Sequence, residues 1–310
     1  MRVFAWLIYM IAAALFTALY FRPEQHPPGA TLADLAALRA ATPYQYRVLV
    51  PILARLVEAI APLPLPAIYA ALTCAFTLGL FLVWRAYLHP FFGEAATVYA
   101  LAMLYPLIWN YVVVSAYYCV WDVPAIFFFV LGLVLMRRQQ WRLYYLVFLL
   151  ACFNRETSCF LILACALLQW GRQPTRWLAW NLALQGALWL AVKALLTRIF
   201  LHNPGEKVGQ PHLSGSLELI GNLLRQPLGS LDWVLLTFGW MAILIVVAWR
   251  TLPADFKRLL LIVGPFLLGM AFVADLGQLR IYNELVPVLL APALWSVETW
   301  RRRATVARAG

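Results

Sequence analysis

The sequence predicts an all-α membrane protein, a polytopic bundle of about ten transmembrane helices, on three observations. The first is composition: of 310 residues, 64% are hydrophobic and 12% charged, and the mean hydropathy is +0.79. Soluble domains carry about 25% charged residues, so a water-soluble enzyme is excluded. The second is the length of the apolar runs, many of which approach the roughly 20 residues that a bilayer requires. The third is where the charge sits. Counted with the N-terminus in the cytoplasm, the inner loops and ends hold 14 of the 24 Lys and Arg residues but only Glu94, Asp255 and Glu298 of the 13 acids. That side therefore carries the whole net charge of +11. A positive-inside distribution accounts for the pI of about 9.7 without nucleic acid as a partner.

Taken in order, the spans are Val3 to Phe21, Pro66 to Trp84, Ala95 to Trp109, Trp121 to Met136, Trp177 to Ile199, Leu231 to Trp249, Leu259 to Val273 and Leu285 to Trp300. Two shorter apolar pieces, Leu143 to Phe153 and Ser158 to Leu168, are split by Asn154-Arg-Glu-Thr157 and make a broken pair. The first span reads as an uncleaved anchor. Trp84, Trp109, Trp170 and Trp249 stand near span ends, where amphipathic rings settle at headgroup level. The five cysteines have no metal-ligand spacing and read as small buried hydrophobes.

Residues 1–310 form one transmembrane domain in this reading, with two long outer loops. The first, residues 22–65, carries two surface helices. One starts at Thr31-Leu-Ala-Asp34, a capping arrangement followed by Leu35, Leu38 and Arg39; the other runs from about Val48 to Ile60 with Pro51 in its first turn. The second loop, residues 201–230, holds turn formers and a helical stretch near Leu217 to Leu224.

Polar residues at the outer span ends are the functional signal, because Arg, Lys or Asp at a bilayer centre costs about 2.5–3.5 kcal/mol on insertion scales. Arg155 and Glu156 interrupt an apolar hairpin, Asp122 opens the fourth span, Arg280 and Glu284 stand four apart, and Tyr44-Gln-Tyr-Arg47 joins them from the first loop. Transfer of a sugar from a polyprenyl phosphate needs an acid to take the acceptor's proton and cations to hold the departing phosphate. Candidate bases are Glu24, Asp34 and Asp122. Arg47, Arg155 and Arg280 are candidates for the lipid phosphate, since a guanidinium donates a fork of hydrogen bonds and stays charged. Tyr44, Gln45, Tyr46, Asn154, Glu156, Tyr282 and Glu284 are candidates for binding substrate.

The Tyr-x-Tyr-Arg-x-x-x-Pro stretch from Tyr44 to Pro51, the acid-x-Pro of Asp122 and Pro124, and the Arg-Glu-Thr break at Arg155 to Thr157 follow a first outer loop with two surface helices. In this the chain resembles the GT-C superfamily of multi-span glycosyltransferases. The resemblance covers most of the chain as architecture and about 25 residues as motif. It implies a sugar moved from a polyprenyl-phosphate donor to a hydroxyl of a glycan, lipid or protein at the outer face of a membrane, a bacterial inner membrane being the expected setting. It also implies a base in the first outer loop and a second acid near the fourth helix, where Asp122 matches. It assigns no definite cofactor and leaves room for a divalent metal; no residue is assigned to one, because the histidines lack ligand spacing.

Each candidate has a plainer role. Asp34 fits a helix cap, Glu24 a solvated interfacial charge, and Asp122 a helix-start acid. Arg155 and Glu156 fit a mutual lock for a broken helix, Arg280 and Glu284 a helix-surface pair, and Lys193 and Arg198 snorkelling to headgroups. Transport or flipping of lipid-linked intermediates, without catalysis, is the alternative function. The charge pattern puts both termini in the cytoplasm. A phosphatase fused after Gly310 should therefore be inactive in cells while a fluorescent protein there is bright, and a phosphatase fused after Leu201 should be active; the reverse pattern overturns the assignment.

Overall fold

The computed structural model describes residues 2–115, 117–205, 232–274, 276 and 278–309. Among them every regular element is helical, and the sole β-type pairing is an isolated bridge between Thr42 and Gly205. The helical stretch expected near Leu217 to Leu224 lies outside the described residues.

The helices are α1 (Arg2–Tyr20), α2 (Leu32–Ala36), α3 (Leu49–Ile60), α4 (Leu65–Phe92), α5 (Ala96–Tyr99), α6 (Leu104–Ile108), α7 (Asp122–Arg137), α8 (Trp141–Asn154), α9 (Phe160–Gln169), α10 (Thr175–Ile199), α11 (Trp240–Ala248), α12 (Ala254–Leu260), α13 (Val263–Val273) and α14 (Leu285–Ala309). Local chemistry sets several boundaries. Pro64, Pro174 and Pro253 stand immediately before α4, α10 and α12, where a fixed φ suits a helix start and a missing N–H costs nothing. Gly93, at φ +56°, reverses the chain after α4, a conformation open to glycine at little cost. Pro106 cannot donate to the carbonyl four residues back, and the turn before α6, Ala100–Met103, is tightened to 3-10 geometry. A wide π turn, Trp109–Val114, follows α6.

Two sequence expectations change. The run predicted to end at Trp84 continues to Phe92, because Tyr87, Leu88 and Phe92 are buried in the core; Trp84 itself is fully buried rather than interfacial. The first surface helix is only five residues long, ending before Leu38, which has φ +59°. Its predicted start holds: Thr31 Oγ1 accepts from the Asp34 N–H at 3.0 Å, and its hydroxyl donates to Asp34 Oδ2.

Helix α4 packs between α1 and α7, and α7 packs on α8, enclosing Trp84, Trp121, Phe81, Phe129 and Phe148. The other side of several helices presents large apolar side chains outward, among them Met10, Leu15, Trp180, Val246 and Leu268. Among the described residues three stretches, Leu65–Val114, Thr175–Ile199 and Ala254–Val273, are long and apolar enough to cross a membrane, the first of them reversing at Gly93; four more apolar helices there are shorter.

Charged contacts gather at two opposite ends, which the 16-residue α7 separates by about 23 Å from Asp122 to Arg137. At the Arg137 end, Glu298 accepts hydrogen bonds from Tyr99 (2.7 Å), Arg301 (2.8 Å) and Arg302 (2.7 Å), and Arg172 pairs with Asp255. At the Asp122 end Asp122, Arg155 and Glu156 gather with Arg47 and Lys193, beside a clasp on the first long loop. There Asn203 Nδ2 donates to the Ala40 carbonyl at 2.9 Å, and the Thr42 N–H donates to the Pro204 carbonyl at 2.8 Å.

The clasp has no room at Gly205, whose φ is +109° and where a Cβ would stand 2.3 Å from the Thr42 carbonyl oxygen. Gly205→Ala should cost more than about 1 kcal/mol, read as a lower thermal midpoint in detergent. Gly186→Ala, in the middle of α10 with open space around the new methyl, should be neutral or raise it by about 0.5–1 kcal/mol.

Candidate functional site

Three chain breaks meet at the Asp122 end. Helix α8 stops at Asn154 because Arg155 is fully extended (φ −161°, ψ 144°), and the next turn restarts at Glu156. Asp122 is the first residue of α7, and α14 begins just after Asn283 and Glu284. Helix starts leave backbone groups unbonded, so polar side chains collect there by necessity.

Arg155 sits at the centre of this meeting. Its Nη1 lies 3.4 Å from Asp122 Oδ1 and 3.3 Å from the Arg280 carbonyl, to which Nη2 also donates at 3.2 Å. Asn283 Nδ2 donates to the same Asp122 oxygen at 3.3 Å, and its own Oδ1 accepts from the Tyr111 hydroxyl. Asp122 stands in the first turn of α7, the helix-start position its plainer role requires, while its carboxylate also reaches Arg155 and Asn283.

A second layer lies beside the first. Glu156 faces Arg47 at 3.6 Å and Lys193 at 3.1 Å, while the Trp189 indole donates to its carbonyl at 2.8 Å. The Arg47 guanidinium lies over the Trp121 ring at 4.6 Å, Trp121 stacks on Tyr44, and Lys193 Nζ sits 4.7 Å from the Tyr46 ring centroid. Arg280 donates to Cys119 Sγ at 2.8 Å and to Gln278 Oε1 at 3.1 Å. Arg47, Arg155 and Arg280 all lie within Coulombic range of Asp122. The three guanidiniums stand in one region, each with its own partners: Arg47 with Glu156 and Trp121, Arg155 with Asp122 and the Arg280 carbonyl, Arg280 with Cys119 and Gln278.

Two features give the cluster spare capacity. Four cations (Arg47, Arg155, Lys193, Arg280) face three carboxylates (Asp122, Glu156, Glu284), and the Arg47–Glu156 and Arg155–Asp122 pairs are long at 3.6 and 3.4 Å. A guanidinium has five donors, so these contacts leave donors over for an anion. On the acceptor side, Asp122 Oδ2, Asn154 Oδ1 and Glu284 Oε2 are buried and have no hydrogen-bond partner among the described residues. Asn154 and Glu284 line a cavity of about 10 Å³ with Arg155 and Ser158, room for a single water. Among the described residues no trio of His, Cys, Asp and Glu is arranged to hold a metal ion.

The remaining candidates lie elsewhere. Asp34 is engaged with Thr31 at the start of α2, and Glu24 is exposed with no ion pair among the described residues. Gln45 is buried and accepts from the Ala40 N–H at 2.8 Å, bracing the turn that carries Arg47. Tyr282 packs against Phe238 and Phe266, and its hydroxyl donates to the Leu276 carbonyl at 2.6 Å.

Pairings differ from the local ones read along the chain. Arg280 and Glu284 turn apart, since α14 starts only at Leu285; Glu284 instead accepts from the Thr157 hydroxyl. Arg155 and Glu156 reach different partners because their extended backbone splays successive side chains. Lys193 was expected to snorkel outward but turns in to Glu156. Asn283, Thr157, Lys193 and Trp121 are the members that sequence reasoning missed. Adjacency to Glu284, Glu156 and Asp122 was the signal available for three of them.

Comparison with protein-family models, with curated proteins and with solved structures returns no match for this chain.

Removing Arg155 leaves the buried Asp122 carboxylate without its charge partner. Arg155→Met should destabilise by about 3–5 kcal/mol, and adding Asp122→Leu should recover most of the loss, both read from thermal unfolding in detergent. A double variant no more stable than Arg155→Met would mean that the pair is not the coupled unit the distances describe.

Proposed function

We propose that this chain is an integral membrane glycosyltransferase of the GT-C type, moving a sugar from a polyprenyl-phosphate carrier to a hydroxyl at the outer face of a membrane. The observation that carries the reading is the state of Asp122. One of its oxygens is shared by Arg155 and Asn283, while the other is buried without a partner among the described residues, with Arg47 and Arg280 also near enough to act on it electrostatically. A general base needs a free lone pair, and a departing phosphate needs cations that are not fully committed. Both needs are met within one cluster.

In the proposed reaction Asp122 Oδ2 accepts the proton of the acceptor hydroxyl as that oxygen bonds to the sugar's anomeric carbon. The bond from that carbon to the phosphate oxygen breaks, its electron pair leaves with the polyprenyl phosphate, and the added negative charge falls to Arg47, Arg155 and Arg280. Asp122 takes the role of base in place of Glu24 and Asp34, which stand away from these cations. Asn154, Glu156 and Glu284 are placed to orient sugar or acceptor hydroxyls. Asp122 is only 1% exposed, so the Tyr44–Arg47 turn over Trp121 must lift for substrate to reach it.

The setting follows from charge and apolarity. The chain crosses about ten times, with both termini and the Arg137 end in the cytoplasm, in a bacterial inner membrane. The outward apolar side chains of α1, α10 and α13 would face lipid, and the prenyl chain would lie between helices. Membrane lipid, the lipid-linked donor and a glycan, lipid or protein acceptor are its partners.

The test is release of free polyprenyl phosphate from a panel of polyprenyl-phosphate sugars by the purified full-length protein in detergent with membrane-extract acceptors. Asp122→Asn should reduce release by at least about 100-fold, with Glu24→Gln and Asp34→Ala within about twofold of wild type. Undiminished release by Asp122→Asn overturns the reading. Passage of intact donor across proteoliposomes, with no cleavage, would establish the transport alternative instead.

A further inference from the structure

The opposite end of α7 carries a second polar pocket that the proposed reaction does not use. It lies where α4, α7, α9 and α12 meet, with a volume of about 20 Å³, and is lined by Tyr87, Arg137, Gln169, Arg172 and Asp255 between apolar walls. Tyr87 is 4% exposed, and its hydroxyl has no hydrogen-bond partner among the described residues. It stands within Coulombic range of both Arg137 and Asp255. The Arg137 guanidinium carbon lies 4.3 Å from the Phe91 ring centroid, and the group makes no ion pair among the described residues, so its donors are uncommitted there. Gln169 is 1% exposed and its Oε1 already accepts from Gln139, which leaves its amide N–H groups as the free part of the side chain.

The pocket is thus rich in donors and poor in acceptors. Its one carboxylate, Asp255, is already paired with Arg172. A phenol O–H, an amide N–H pair and a free guanidinium pointing at one space complement an anion with several acceptor oxygens. The cavity is large enough for phosphate oxygens to enter while the rest of the group lies over the exposed Arg137 and Arg172. The position adds a constraint: Trp170, adjacent in the chain to Gln169, is 69% exposed, the placement of a ring at headgroup level.

We propose that this pocket binds the phosphate of an anionic membrane lipid at the basic end of the bundle. The site is separate from the Asp122 cluster and does not depend on what chemistry occurs there. Tyr87 and Gln169 give it depth, and Arg137 supplies the charge.

The test is thermal unfolding of the full chain in a neutral detergent, with phosphatidylglycerol, phosphatidylcholine or inorganic phosphate added. Phosphatidylglycerol should raise the midpoint by a few degrees and phosphatidylcholine should not. Arg137→Gln should abolish the response and Tyr87→Phe should weaken it. Arg138→Gln, which removes an equal charge from the neighbouring position outside the pocket, should keep it. The readout is the response to lipid within each variant, so a variant with a lower starting midpoint still reports. Equal loss in Arg138→Gln would show diffuse charge attraction and overturn the proposal, and an equal rise with inorganic phosphate would overturn the lipid source.

Discussion

The pairing of Arg155 with Asp122 is the constraint around which this molecule is arranged. Two unit charges that are 8% and 1% exposed in side-chain terms carry a desolvation cost of several kcal/mol each, repaid only by close opposite charge and further hydrogen bonds. The backbone is bent to supply both. Helix α8 ends early so that Arg155 can extend toward the start of α7, and the start of α14 brings Asn283 to the carboxylate and the Arg280 carbonyl to the guanidinium. Three separate stretches are fixed by that one contact, and the first long loop joins them through Arg47, held on Trp121 directly before Asp122.

Much of this was legible because polar residues are conspicuous in an apolar chain. Asp122, Asn154, Arg155, Glu156, Arg280 and Glu284 could be singled out by the cost of placing them where they stand, and they assemble at one end of the bundle. Their partners could not be read. Local spacing suggests Arg155 with Glu156 and Arg280 with Glu284, yet each pair falls at a chain break where helical periodicity does not apply. Lys193 was misread for a related reason. A lysine near the end of an apolar helix snorkels by default, and nothing in α10 itself says that a carboxylate from another helix stands beside it. Helix ends were blurred wherever apolar residues continue past a span length, as at Trp84 to Phe92.

The two ends of α7 differ in what they leave unpaired. The basic end leaves donors over, in Tyr87, Gln169 and Arg137, and so favours an anion with acceptor oxygens. The Asp122 end has both kinds. Arg47 and Arg155 engage their carboxylates loosely at 3.6 and 3.4 Å, and three of its carboxyl and amide oxygens have no partner among the described residues. Spare donors and spare acceptors in one place suit a ligand that is part phosphate and part hydroxyl, which describes a glycosyl phosphate meeting an alcohol.

The orphaned oxygens also distinguish among the acids. An unsatisfied buried acceptor costs about 1–3 kcal/mol, so a folded chain does not keep several without a reason. A water in the 10 Å³ cavity has two hydrogens to give, and Asn154 Oδ1 and Glu284 Oε2 both line that cavity. One molecule there would satisfy the pair of them. Asp122 does not line that cavity, and its Oδ2 has no donor among the described residues. Arg155 and Asn283 both hold the other oxygen from their own side, and Oδ2 lies close to several cations. A neutral hydroxyl carried in beside an anionic phosphate fits that position, whereas a cation would be repelled by Arg47, Arg155 and Arg280 together.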